Sequence, residues 1–278
     1  MTRPVLLGIL NVTLDSFSDG GRFLDEASAG SSSSIDKAIT HAVSLVEQGA
    51  DVIDIGGEST RPGAERVSAD DELQRVLPVV RELVARDIRV SVDTMRASTA
   101  REVALAGAEF INDVSGGLAD PDMFRTIAAL DVTYIASHWR GHSDTMDSLA
   151  EYTDVVTEVR DELTQRVAEA IVWGVNPERI IIDPGLGFAK TADHNWQLLG
   201  RLDELQALGL PVLIGASRKR FLAEFAPEGA KPKKRDRASA LISGFAAQAG
   251  AWGLRVHDID STREVLAVWD RWDGGARA

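Results

Sequence analysis

Residues 212–221 read VLIGASRKRF, and the reading of the whole chain works outward from them. An apolar run, Val212 to Ile214, ends in Gly215 and turns at once into Ser217, Arg218 and Lys219. A short, continuous apolar run is how a strand buried on both faces appears, and polar residues at its end mark where it surfaces. The small residues let a ligand approach. A lysine there can hold an anion or hydrogen-bond a heterocycle, and a serine can bind a carboxylate or phosphate oxygen. Alone, the stretch reads more simply as a solvated basic turn, since exposed Lys and Arg are the norm. The rest of the chain reverses that balance.

Strand-like runs recur at 5–12, 51–56, 89–93, 110–114, 132–137, 180–183, 212–216 and 254–258. Helical patterns fill the gaps. Ile35, Ile39, Ala42, Val43 and Val46 form one apolar stripe at helical spacing, and Leu73, Val76, Leu77, Val80 and Leu83 form another. Ser68 followed by Asp70 and Asp71 reads as an N-cap with an acidic first turn. A long helix is expected over 152–173, broken by Gly174, a small-residue helix over 238–249 and a closing helix over 261–272. Residues 31–34 and 226–237 (APEGAKPKKRDR) read as loops, the second a solvated basic excursion. Eight strands alternating with about eight helices predict an α/β fold, a single-domain (β/α)8 barrel spanning 1–278. The competitor is an open doubly wound sheet. Eight is the closing number, and no Gly-rich dinucleotide fingerprint follows a strand.

Composition narrows the class. The 278 residues fit one barrel, and the absence of cysteine excludes disulfide and thiolate chemistry. A net charge of −13 argues against nucleic-acid binding, which needs a basic face. Any anionic substrate must therefore be held by a local cluster of cations. No signal-peptide pattern and no membrane-length apolar run is found, so a cytoplasmic chain with no membrane partner is expected.

In such a barrel the reactive face forms where strands run into loops. The strand ends carry Asn11 and Asp19; Thr60, Arg61 and Pro62; Asp93; Asn112; His138 and Arg140; Asp183 and Phe188; Ser217 and Lys219; and Arg255 and His257. One aspartate at a strand end is more often a cap or turn former than a ligand. Eight polar ends surrounding one mouth are harder to explain that way. The mouth has two chemical halves. Asp93, Asn112 and Asp183 offer carboxylates and an amide to the N–H groups of an amino-pyrimidinone edge. Arg61, Arg255 and His257, with the Thr60 hydroxyl, suit phosphate oxygens. Asn11 and Asp19 can supply oxygens to a magnesium ion carrying a diphosphate, since magnesium takes few protein ligands.

Rival motifs fail. GASRKRF lacks the P-loop spacing, and no GxSxG elbow is present. His138 and His142 stand four apart, but a strand end and Gly141 intervene, which argues against a helical zinc pair. Trp139 suits either a pocket wall or the core.

GILNVTLDSFSDGG, GGESTRPGA, SVDT, INDVSGG, HWRG, IDPGLGFAKT, GASRKRF and RVHD occur in the order and spacing of dihydropteroate synthases. The chain resembles that family from about residue 7 to 258. The resemblance implies a TIM-barrel homodimer that joins 6-hydroxymethyl-7,8-dihydropterin diphosphate to 4-aminobenzoate, giving 7,8-dihydropteroate and diphosphate, with sulfonamides competing for the aminobenzoate site. It implies Asn11 as the Mg2+-linked residue and Asp93, Asn112, Asp183 and Lys219 as pterin contacts. Thr60, Arg61, Arg255, Val256 and His257 fall to the diphosphate, and Phe17, Pro62, Phe188 and Ser217 to the aminobenzoate. Asn11, Asp19, Arg61, Lys219, Arg255 and His257 form the implied catalytic set. Two positions depart from the family pattern. Leu14 replaces a proline, which implies a freer first loop, and Ser137 replaces a methionine, which implies a roomier pterin pocket. The rival functions are a non-catalytic pterin-binding paralogue, a methyltetrahydrofolate-type methyltransferase and a purely structural barrel.

Overall fold

The computed structural model describes residues 3–12, 32–58, 67–142 and 145–276. Its strands are β1 (Val5–Asn11), β2 (Val52–Gly56), β3 (Val90–Asp93), β4 (Phe110–Asp113), β5 (Thr133–Ser137), β6 (Ile180–Asp183), β7 (Leu213–Ile214) and β8 (Gly253–Val256). Every pairing is parallel, in the order β6-β5-β4-β3-β2-β1-β8-β7. The ring closes between β6 and β7 through one isolated bridge, Ile182 to Val212. The eight-stranded barrel is the expected fold, and the open doubly wound sheet is excluded.

Strand residues alternate between two apolar layers, as the period of two requires. Ile53, Ile55, Val90, Val92, Ile111, Ile182, Ile214 and Leu254 belong to the large core between barrel and helices. Leu7, Val52, Phe110, Ile135, Ile181 and Leu213 form a separate cluster, the plug inside the ring. Two residues further along, the inward positions change character. Val52 is followed on its face by Asp54 and Gly56, Phe110 by Asn112, Ile135 by Ser137, Ile181 by Asp183, and Leu213 by Gly215. An apolar floor thus gives way to a polar cup at the carboxyl ends of the strands.

The helices are α1 (Ser32–Gln48), α2 (Ala69–Val84), α3 (Ala97–Leu105), α4 (Met123–Ala128), α5 (Val155–Val172), α6 (Ala192–Gly200), α7 (Leu202–Gln206), α8 (Asp236–Gln248) and α9 (Ile259–Ala276). Ser68 caps α2 by accepting the Asp71 N–H at 3.1 Å. The α2 stripe is buried at Val76, Val80 and Leu83. In α1, Ile39 and Ala42 are buried while Val46 is 36% exposed at the stripe's edge. Two expected loops are corrected. Residues 32–34 form the first turn of α1. The basic segment is not a free excursion throughout: Pro232–Arg235 winds into a 3-10 turn, and Asp236 opens α8. Arg235 is pinned through its donation to the Arg218 carbonyl at 3.0 Å. No helix among the described residues is long and apolar enough to cross a membrane.

Candidate active site at the barrel mouth

Arg255 on β8 reaches across the cup and joins two strands. Its Nε donates to Asp54 Oδ2 at 2.5 Å and its Nη2 to Asp93 Oδ2 at 2.7 Å. Asn112 Nδ2 donates to the same Asp54 oxygen at 3.3 Å. Asp54 Oδ1, Asn112 Oδ1 and Ser91 Oγ are buried with no hydrogen-bond partner among the described residues. Buried acceptors are costly unless paired, so these atoms have capacity for donors beyond the described residues. Burial pushes the Asp93 carboxyl up to about 7, against the pull of Arg255. Burial opposes the charge on Arg255 too, but Asp54 and Asp93 hold its guanidinium above the ordinary value.

Across the cup stand Asp183 and Lys219. Gly215 marks where they meet: a Cβ on it would lie 3.6 Å from Asp183 Oδ2 and 3.9 Å from both Lys219 Nζ and Arg255 Cβ. The absence of that side chain keeps the floor between the charges open. Burial lowers the Lys219 ammonium to about 8, with Asp183 working the other way. Burial also raises Asp183, despite Lys219 and the Gly185 N–H that donates to its Oδ1 at 2.7 Å. Lys219 Nζ donates to the Leu186 carbonyl and sits 4.7 Å from the centre of the Phe188 ring. Asn11 enters from β1: a Cβ on Gly56 would lie 3.6 Å from its Oδ1 and 3.7 Å from Asp93 Cβ.

Ser217 and His257 form the outer rim beyond Arg255. The Ser217 Oγ accepts the His257 N–H at 3.1 Å and lies 3.0 Å from His257 Nδ1. A hydroxyl proton given to Nδ1 leaves the N–H on Nε2, the edge suited to an anion. Arg218 takes a left-handed turn, φ 59°, which separates the directions of Ser217 and Lys219. Its backbone N–H donates to Ser239 at 3.0 Å, and its guanidinium binds Asp236 at 2.6 and 2.9 Å.

The structure therefore brings Asn11, Asp93, Asn112, Asp183, Phe188, Ser217, Lys219, Arg255 and His257 to one end of the barrel. The Val256 side chain does not join them. It is 2% exposed and packs in the outer core. Asp19, Phe17, Thr60, Arg61, Pro62 and Leu14 lie outside the described residues. The stem leading toward the second loop is anchored, since Arg96 binds Glu58 at 2.6 Å and Glu72 at 3.1 Å. Ser137 is 2% exposed and paired in register with Asp183.

Asp54 was not anticipated. Its signal was an aspartate inside the strand pattern VIDIG, on the same face as Gly56, where a buried strand has no use for a charge without a partner. His138 and His142 do not pair. His138 is buried against Lys190 and Glu162, and His142 packs edge-on against Trp139 at 4.9 Å.

Residues 7–257 match the family of pterin binding enzymes. A dihydropteroate synthase of Mycobacterium leprae (strain TN) is 48% identical over 272 residues, spanning 96% of this chain and 93% of the relative. The chain belongs to the dihydropteroate synthase family. Solved structures of the family share its architecture. The Xanthomonas albilineans enzyme with 4-aminobenzoic acid superposes with a TM-score of 0.87 at 42% identity, over 98% of this chain and 93% of that one. The same organism's enzyme in complex with 7,8-dihydropteroate gives 0.84 at 39% identity, over 98% and 95%. Family membership bears out the resemblance carried by the eight motifs.

Proposed function

We propose that this barrel joins 6-hydroxymethyl-7,8-dihydropterin diphosphate to 4-aminobenzoate, releasing diphosphate and forming 7,8-dihydropteroate for folate biosynthesis. The observation that carries this is the division of the cup. Buried acceptors on Asp54 and Asn112 face one way, while His257, held by Ser217, stands at the rim beyond them. A flat ring rich in N–H groups fits the first set, with Asp183 and Lys219 on its far edge. A departing anion fits the second. Arg255, two residues before His257, borders both, its guanidinium committed to Asp54 and Asp93.

The carbon that reacts is a CH2 beside an electron-rich ring, so it ionises when the departing charge is stabilised. His257 and Arg255 would provide that stabilisation from this chain, with Arg61, outside the described residues, proposed beside them. The carboxylates around the ring favour its cationic form. An aromatic amine is already neutral near pH 7, so no strong general base is required, and positioning supplies most of the effect. Phe17 and Pro62, outside the described residues, are proposed as aminobenzoate contacts, and exclusion of water from the site would protect the cation.

Magnesium is part of this proposal. Asn11 Oδ1 stands at the mouth, and Asp19 would join it. Among the described residues no cluster of three or more His, Cys, Asp or Glu could hold an ion by itself. One amide oxygen suits Mg2+, which keeps water and phosphate oxygens in most of its shell. Bound with the diphosphate, the ion would offset leaving-group charge.

The cytoplasm is the proposed location, and an apolar face on α8 and α9 supports a homodimer. Leu241, Phe245, Val268 and Trp272 are 56%, 67%, 65% and 80% exposed. The two helices touch closely at Gly244, where a Cβ would lie 2.6 Å from Val265, so the four side chains crown adjacent ridges. A self-complementary patch of this kind suits a two-fold axis.

The decisive experiment incubates the purified protein with both substrates and Mg2+ and looks for dihydropteroate. Product with one diphosphate released per turnover supports the proposal. Pterin binding without product would point to the non-catalytic paralogue, and methyl transfer from a reduced folate to the methyltransferase.

A further inference from the structure

Behind the cup lies a buried lysine that the proposed chemistry does not use, its pKa pushed well below the ordinary value by burial. Lys190, at the end of the segment joining β6 to α6, is 5% exposed. Its Nζ lies 2.8 Å from His138 Nδ1, 3.1 Å from the Gly185 carbonyl and 3.0 Å from the Phe188 carbonyl. Three acceptors match the three N–H bonds of an ammonium group. His138 is 2% exposed, and its Nε2 stands 2.9 Å from Glu162 Oε2 on α5. An imidazole that accepts at Nδ1 and donates at Nε2 is neutral, in the Nε2–H tautomer. Burial, helped by Lys190, holds the His138 pKa down to about 4, in keeping with that tautomer. Glu162 is fixed in turn by Arg140, whose guanidinium lies 3.8 Å from the centre of the Tyr152 ring.

The segment that Lys190 grips is the one that meets Lys219. Its shape is unusual: Gly185, Gly187 and Ala189 all have positive φ, at 65°, 78° and 48°. Gly185 rests so close to His138 that a Cβ on it would lie 2.0 Å from the His138 carbonyl oxygen. On the other side, a Cβ on Gly187 would lie 3.0 Å from Lys219 Cδ. The Leu186 carbonyl and the Phe188 ring are the two groups that receive the Lys219 ammonium. Lys190 thus holds the carbonyls of residues 185 and 188, while residues 186 to 188 present themselves to Lys219.

We propose that Lys190, seated on neutral His138 and steadied by Glu162, is a positioning residue that fixes the post-β6 segment so that Leu186 and Phe188 meet Lys219 and the aminobenzoate. The role rests on the assignment of Lys219 and Phe188 as substrate contacts above. An apolar side chain of similar length at position 190 would take the ammonium from the Phe188 carbonyl and leave the Gly185 carbonyl only the Phe188 N–H at 3.0 Å, freeing the Phe188 ring to shift.

The test is Lys190→Met, with kinetics for each substrate and thermal melting. The expected result is a rise of about tenfold in KM for 4-aminobenzoate with kcat lowered less than about threefold. A merely structural role would reduce the folded fraction, lowering kcat while leaving KM where it was. A folded variant with wild-type KM overturns the proposal. Should the variant not fold, 15N spectra of the wild-type histidines decide. A His138 ring protonated at Nδ1 cannot accept from Lys190 and overturns it, whereas a bare Nδ1 with Nε2–H supports it. Failure of the functional assignment is read separately, as absence of dihydropteroate from the wild-type protein.

Discussion

Lys219 and Asp93 both depart from their ordinary ionisation, in opposite directions and from the same cause. A carboxyl raised by burial contributes stability at low pH and loses it as the pH climbs to about 7. An ammonium lowered by burial contributes stability at high pH and loses it as the pH falls through about 8. Near neutrality both groups oppose folding, and a ring that hydrogen-bonds the carboxylate and the ammonium relieves both. Dihydropterin diphosphate is therefore expected to bind best between those values. Protons should be released on binding at lower pH and taken up at higher pH. Calorimetry in buffers of different ionisation enthalpy measures this, and Asp93→Asn should remove the release. Lys219→Ala and Asp183→Asn are each expected to raise the pterin Kd about 10- to 100-fold, the worth of one charged hydrogen bond. A wild-type kcat/KM in either variant would remove that residue from the pterin half. At this scale the sequence was most legible where a polar residue ended an apolar run, as with Asp183 and Lys219. Asp54 and Lys190 escaped because their partners, Arg255 and His138, are distant in the chain, and a charge buried by such a partner leaves little local trace.

At the scale of elements, the carboxyl ends of the strands set the cup and the connecting segments aim it. The segment after β6 is the tightest of these. Gly185→Ala would drive a methyl group onto the His138 carbonyl at a positive φ, and we expect a loss of about 2–4 kcal/mol, read as a lowered Tm. An unchanged Tm would mean that this segment is not packed against β5 as described. Strands were readable because their apolar runs are short and flanked by glycine or charge, whereas helix starts were less so. The serines before Ile35 read as a loop because serine competes for its own backbone, yet Ser32, Ser33 and Ser34 make the first turn of α1. The lysine-rich segment is solvent-exposed as read at Lys231, Lys233 and Lys234, and only its end is held, because Asp236 binds Arg218, 18 residues away.

The molecule as a whole carries a charge of −13, yet the proposed anion rim is cationic, so attraction must be local and short in range. The outer surface poses a different question, that of α8 and α9. Phe245→Glu combined with Trp272→Glu is expected to convert a dimer to a monomer by light scattering, since each charge would be buried against a copy of itself. Retention of the wild-type mass would place the interface elsewhere. The barrel could be counted from the sequence because the eight alternations are regular. The face on α8 and α9 could not, because exposed Leu, Phe and Trp are indistinguishable from core residues until the helices are placed.

The ring of strands is fastened between β6 and β7 by the lone rung from Ile182 to Val212. Asp183 follows one side of that gap, and Gly215 and Lys219 follow the other. A pterin gripped by Asp183 and Lys219 would act as a clasp across the seam, completing with its own atoms a join that the backbone leaves thin. Amide exchange at residues 182 and 213 should then slow when pterin is added, more than at the well-laddered β1 and β2. The substrate would become, in effect, part of the wall that encloses it.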